Sequence, residues 1–427
     1  MTPPSLAKPP DGKATKLPDQ MQQLQIEADS VDEIRNIDPE GDVVLLIQHE
    51  TETVKHEKRF RAASSRLQTS SKYFSSLLSG QFGESDRIHK RHAEIKEQGK
   101  SIAEAPSSEL PVIKIVDVGR ISAVKSIEPL CTDLLLILHG ADLQTPAPPP
   151  VANLANLAIV ADRFDALEAL RSYVHRKRYL RAIDGKGTPK LEASLSEEKV
   201  RQRLLISLLL DTGPWLEKYS LRLITKGWVD RQVSDSAPLW RDLPSTLEEE
   251  LAFRRECVLE TLQSLQTHFV GLYTSRERQC RLGYENSAQC DSFQLGEMIR
   301  FLSRIGTLQA RGSILDTSEF IDPYDGDVYN LIDDLRKAPE YQIDRYHTHC
   351  GIRTKLIPLL DLVTESLQYS GVCSECWSEN RIEQSWSESK RPLMWKRSTF
   401  RLRNLSHKDL HANIKALFMA EQRHWSS

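Results

Sequence analysis

Two short motifs toward the carboxy-terminal end of the chain bring soft donor atoms together. "HTHC" sets His347 and Cys350 three residues apart, and "CSEC" does the same for Cys373 and Cys376. Imidazole nitrogen and thiolate sulfur are the donors a tetrahedral zinc ion takes, and a two-residue gap lets the backbone turn so that both reach one ion. The two pairs are separated by 22 residues, slightly more than the usual interval of roughly 15–20. Between them "IRTKLIPLLDLVTESLQY" reads as a helix able to bring the ends together. His347, Cys350, Cys373 and Cys376 are therefore the candidate ligands of one structural zinc. Cys280 and Cys290 stand upstream at a wider gap, as alternates that replace a ligand, form a second site with His349, or simply fill core. The competing reading for any single one of these cysteines is a buried thiol.

No catalytic signature accompanies them. The chain has no G-x-S-x-G elbow, phosphate loop, dinucleotide fingerprint or H-E-x-x-H. "GKS" at Gly99–Ser101 lacks the upstream glycine of a phosphate loop, because Glu94 stands there. The ligands are too few for a RING, and "GVCSECW" follows a helix, whereas an oxidoreductase C-x-x-C opens one after a strand. The expectation is a non-catalytic protein.

The whole chain sets the frame. Its 427 residues suit two or three domains. A net charge of −3 gives no general pull toward nucleic acid or anionic lipid. No apolar run reaches the roughly 18 residues of a membrane span, and the amino-terminal residues do not form a secretory signal. An intracellular location, nucleus or cytoplasm, is expected, with thiols kept reduced.

Stepping along the chain, residues 1–38 are rich in Pro, Lys, Asp and Gln and read as a disordered arm. "GDVVLLIQ" from Gly41 is a buried strand, and Val54–Ala63 is a second. Leu67, Tyr73, Phe74, Leu77 and Leu78 lie on one helical face, with Ser64, Ser65 or Thr69 as possible caps and Gly80 as the stop. The charged stretch 86–109 reads as a solvated insertion. "LPVIKIVDVG" is a third strand, "SIEPLCTDLLLILHGAD" a buried helix, and "VANLANLAIVADRFDALEALRSYV" two short helices. Strands followed by helices make an α+β domain over 39–180.

That succession resembles the BTB/POZ domain, in the form common in filamentous fungi. The matching pieces are "GDVVLLI", "FRAASSRLQTSSKYFSSLL", "LPVIKIVD" and "LANLAIVADRFDALEALRSYV". The resemblance implies an assembly module that docks protein partners and self-associates, with Ala161, Phe164 and Leu170 in the core of its closing helical pair. One branch of the family builds a charged pocket from an Asp and an Arg. Asp42 matches the first, but Ser64 stands where the Arg belongs, so co-repressor binding is not implied. "FGE" fits the hydrophobic–any–Glu triplet of members that recruit cullin ubiquitin ligases, which makes Phe82 and Glu84 candidate partner-binding residues and a cullin scaffold a candidate partner.

The second half, 195–378, reads as all-helical and cysteine-rich. Gly213-Pro214 interrupts one helical face, and Leu243–Glu277 is one long helix with a Ser245/Glu248 capping box. Residues 379–427 form a basic tail carrying Lys390, Arg391, Trp395, Lys396, Arg397, Arg401 and Arg403, read as a solvated, mobile end. Two functions follow. The favoured one is a BTB-type adaptor or scaffold, with a cullin ligase as its candidate assembly and no nucleic acid or membrane partner. The alternative is a nuclear, chromatin- or DNA-associated regulator using the cysteine-rich region and basic tail.

Overall fold

A computed structural model describes residues 34–50, 55–80, 83–122, 124–234, 236–280, 287–308, 324–348 and 350–426. The chain divides into two units, Met1–Val118 with Lys125–His139, and Gly119–Val124 with Gly140–Ser427.

The first unit is built on a four-stranded sheet ordered β1-β3-β2-β4: β1 (Ile34–Asn36), β2 (Val43–Glu50), β3 (Lys55–Ala62) and β4 (Val112–Ile115). β2 pairs antiparallel with β3 and parallel with β4. Its Val43, Val44, Leu45 and Ile47 are all buried, as a continuous apolar run must be when both faces of an interior strand are covered. β1 lies inside the segment expected to be a disordered arm. It is ordered by parallel pairing with β3, from Ile34↔Arg59 to Asn36↔Arg61.

The single helix expected after β3 is two, α1 (Ser64–Ser70) and α2 (Lys72–Leu78). Ser71 divides them: its extended backbone ends α1, and its hydroxyl accepts from the Phe74 amide at 3.1 Å to cap α2. The expected caps Ser64, Ser65 and Thr69 are not used. α1 is headed instead by Asp42, whose carboxylate accepts from the Ser64 amide and hydroxyl, both at 2.7 Å.

The charged stretch after it is not a loose insertion. It forms α3 (Gly83–Glu97), whose Ile95 joins Val44, Ala105 and Leu110 in a small core. The isoleucines that looked isolated in sequence are its anchors. Arg61 fixes the return of this segment, donating to Gly41 O (2.8 Å), Ala105 O (3.0 Å) and Ala103 O (2.8 Å). α4 (Glu128–Leu138) completes the unit, with Cys131 buried and its thiol pushed up to about 12 by desolvation.

The second unit is helical: α5 (Val151–Arg163), α6 (Leu167–Arg176), α7 (Tyr179–Asp184), α8 (Pro189–Ala193), α9 (Glu197–Leu209), α10 (Gly213–Lys226), α11 (Ser245–Thr274), α12 (Ser287–Arg304), α13 (Val328–Arg336), α14 (Arg353–Leu367), α15 (Ser374–Glu379), α16 (Arg381–Gln384) and α17 (His407–Met419). The division at His139 and Gly140 places α5 and α6 here, where α5 packs on α9, and not in a domain ending at 180. Ala161, Phe164 and Leu170 are buried, as expected. Pro244, not Ser245, precedes α11, and the Glu248 side chain turns toward α9. Its two carboxylate oxygens grip Arg201 at 3.1 and 2.9 Å.

Residues 379–427 are likewise not a mobile tail. β5 (Met394–Lys396) and β6 (Gln422–His424) pair in parallel. Trp386, Trp395, Phe418 and Trp425 enter the same core as α11 and α14. Arg391 pairs with Glu260, and Arg423 caps the end of α17 through Leu417 O and Phe418 O. Of the charges that looked like a basic patch, Arg391 is thus spent on the fold, while Lys390, Lys396, Arg401 and Arg403 remain exposed.

Candidate metal centres

The four expected ligands do not converge. Each x2-spaced pair joins a different group: Cys280, Cys290, His347 and Cys350 in one, and Cys373, Cys376, His407 and His411 in the other. Within each group the donor atoms lie within 4.8 Å of one another. The reason is α14, expected to draw the pairs together. Its 15 residues form a helix, about 22 Å long at 1.5 Å per residue, and it holds its two ends apart.

In the first group Cys280 follows the end of α11, Cys290 sits in the first turn of α12, and His347 and Cys350 lie in the loop before α14. The alternates Cys280 and Cys290 are therefore partners of His347 and Cys350. His349 lies outside the described residues. Asp291 sets Cys280 in place, accepting from the amides of Gln279 (2.8 Å) and Cys280 (2.9 Å). Gln294 on α12 donates to Tyr341 O at 2.7 Å, and the Tyr273 hydroxyl to Cys350 O at 2.8 Å, so both walls of the loop are held. Asp344 turns the chain ahead of the ligands by accepting from the Tyr346 amide, and its Oδ2 lies 3.9 Å from His347 Nε2. That leaves Nδ1 facing the sulfurs, 3.3 Å from Cys280 Sγ and 3.9 Å from Cys350 Sγ, with the two sulfurs 3.8 Å apart. A tetrahedral zinc with Zn–S near 2.3 Å and Zn–N near 2.05 Å would set sulfurs about 3.8 Å and sulfur and nitrogen about 3.6 Å apart. Desolvation, then the neighbouring thiols, raises the Cys290 and Cys350 thiols when no cation is present. A divalent ion reverses that by stabilising thiolate.

The second group joins α15 to α17. Cys373 caps α15 and Cys376 lies in its first turn. The loop carrying Cys373 lies so close to α10 that a Cβ at Gly371 would strike the Glu217 carbonyl, and one at Gly213 would strike Ser374. Glycine at both positions permits that approach. The Val372 amide donates to Ser220 Oγ (2.8 Å), and Arg254 to Ser370 O and Gly371 O (2.9 and 2.7 Å). Arg254 is itself fixed by Glu250, which also accepts from Ser385 Oγ and the amides of Trp386 and Ser387. Burial pushes the Glu250 carboxyl up, but the Arg254 charge and these donors more than offset it and hold it at about 2.

His407 and His411, one turn apart on α17, share a face. Ser406 caps the helix by accepting from the Asp409 amide at 3.2 Å. His407 Nε2 lies 3.3 Å from Cys373 Sγ and 3.4 Å from Cys376 Sγ, again near the sulfur–nitrogen edge of a zinc tetrahedron. Desolvation, then His407 and Arg254, lowers His411 to about 4, so at neutral pH its imidazole is neutral with a lone pair to give. A hollow of about 20 Å³ beside Cys373, Cys376 and His411 has room for one small species and none for a substrate.

His407 and His411 escaped the sequence reading. H-x3-H at a capped helix start is the usual second half of a Cys2His2 motif, but 30 residues separate Cys376 from His407, twice the common interval. Of the candidate partner residues, Phe82 lies outside the described residues, and Glu84 occupies the first turn of α3, 3.4 Å from Arg87. Cys257, like Cys131, is a core thiol.

These Cys/His groups can each hold a metal ion. No helix among the described residues is long and apolar enough to cross a membrane. Compared with known proteins, the chain matches no family model, no curated protein and no solved structure.

Proposed function

We propose that this chain is a non-catalytic protein-interaction protein: a BTB/POZ-type assembly module followed by a helical domain braced by structural zinc at Cys280, Cys290, His347 and Cys350. The observation that carries the assembly role is the outer strand of the sheet. β4 is paired on one side only; Val112 on it and Val116 just beyond its end are 56% and 65% exposed, with exposed Lys114 between them. The unpaired backbone groups of an edge strand, flanked by exposed valines, offer a docking surface to another chain. The sequence resemblance over "GDVVLLI" and "LPVIKIVD" supports the same reading. The bracing role rests on the donor count: four protein donors complete a tetrahedron and leave no position for a reacting water.

Self-association is the direct test. Light scattering of the full chain at tens of micromolar is expected to give a dimer or larger species, reduced by Val112→Lys with Val116→Lys. A strict monomer overturns the assembly role. A cullin scaffold is the partner suggested by "FGE". It should be retained by the wild type and lost with Phe82→Ala and Glu84→Ala together, and equal recovery removes that partner.

The nuclear, nucleic-acid-binding alternative draws on exposed Lys396, Arg401 and Arg403. Salt-dependent retention of the chain on immobilised duplex DNA would favour it.

A further inference from the structure

The two Cys/His groups are unequal in a way that a shared bracing role does not require. In the first, Cys290 and His347 are 0% exposed and Cys280 5%, while Cys350 is half-buried. Three thiolates there would give a zinc complex one net negative charge, held in a site fixed from three directions by Asp291, Gln294 and Tyr273. In the second, Cys373 and Cys376 are buried, but the His407 side chain is 47% exposed. His407 is also the first residue of α17, where a helix frays most readily. The carboxylate of Glu375, 82% exposed, stands 3.7 Å from its Nε2. This imidazole can therefore swing away to water or to that carboxylate, leaving an ion on three donors with one open position for an incoming chelator. In the first group the least buried donor, Cys350, is half-buried, and the Tyr273 hydroxyl holds its carbonyl.

We infer that Cys373, Cys376, His407 and His411 bind a second zinc ion that exchanges with the surroundings, while the Cys3His group retains its ion. The exchangeable ion clasps α15 to the first turn of α17. The Lys408–Glu379 ion pair spans the same two helices at 2.7 Å but is solvent-exposed, so it replaces little of the clasp. Loss of this zinc opens residues around 373–380 and 404–411 and leaves the Trp386, Trp395 and Trp425 core in place. This makes the clasp responsive to free zinc concentration. The inference rests on reading the first group as a structural zinc site, and the test separates the two.

Full-length chain loaded with zinc is mixed with excess 4-(2-pyridylazo)resorcinol, and metal release is followed by absorbance. Two equivalents are expected, one leaving at least ten times faster than the other. His407→Ala should abolish the fast equivalent alone. One slowly released equivalent in the wild type, or two leaving at a single rate, overturns this inference and leaves the first site standing. No zinc in a folded, chelator-free sample overturns both. Cobalt substitution gives a second readout. His407→Ala should reduce the thiolate-to-cobalt absorption by about two-fifths, the share of two thiolates among five. An unchanged band means that His407 does not hold the second ion, which overturns the inference.

Discussion

The two units are held together by different means. The first unit has a hydrogen-bonded sheet, a small apolar core and side chains that satisfy backbone groups, with Arg61 on three carbonyls and Asp42 at the head of α1. Among its described residues there is no Cys/His group. The second unit runs many short helices through long loops. Distant segments of it meet at charged or metal-ligating side chains as well as in its apolar core: Glu250 reaches 136 positions along the chain to Trp386, and Cys280 meets His347 across 67. A ladder closes strand against strand by itself. Loops joining short helices have no such ladder, and polar knots take its place. Perturbations should therefore separate the units.

Metal removal gives the largest separation. All seven tryptophans lie at or beyond Trp215, so indole fluorescence reports the second unit alone. Full chelation under denaturing-onset conditions should shift the tryptophan midpoint strongly, since structural zinc contributes on the order of 10 kcal/mol to folding of small domains. Amide exchange in β2 should be unchanged. Equal loss of protection in β2 would mean that the units do not melt separately.

Glu250→Ala comes next. It leaves the Arg254 guanidinium buried beside Trp386 without its counter-charge, which costs about 3–5 kcal/mol. The tryptophan transition should move by that amount. A shift below about 1 kcal/mol, the worth of an exposed pair, would show that water reaches the site.

The acid limb sharpens this. The Glu250 carboxyl goes from an ordinary 4.5 to about 2 on folding. A depressed carboxyl contributes stability that is fully present above 4.5 and lost as pH falls from 4.5 to 2. The stability gap between wild type and Glu250→Gln should therefore narrow over that window. Comparing the two chains cancels zinc release, which acid also causes. A gap that is constant from pH 5 to 2 contradicts the assignment.

How far the sequence reveals this contrast depends on range. β2 and α11 are legible because period and apolarity are local properties, and both run as expected. Cys280, Cys290, His347, Cys350, Cys373 and Cys376 are legible as donors. Their partition is not, because it depends on where α14 sends its ends. His407 and His411 are hidden by the folded segment between Cys376 and α17. Arg391 looks solvated until Glu260 and the Met419 carbonyl at the end of α17 supply its acceptors.

The smallest expected effect belongs to the first unit. Ala63, which precedes α1, has no side chain able to cap it. Asp42, just before β2 and 22 residues ahead of Ser64, does this instead, accepting from both the amide and the hydroxyl of Ser64. A helix start without an acceptor loses about 1 kcal/mol. Asp42→Ala should cost that much and Ser64→Ala less, because the alanine keeps its amide bond to the carboxylate. The double variant should cost little more than Asp42→Ala, since both changes remove one shared contact. Amide exchange at Leu45 and Leu67 measures it, with the tryptophan transition as an internal control that should not move. Additive costs would mean that Asp42 and Ser64 act separately, and that the first unit owes its strand–helix joint to apolar packing alone.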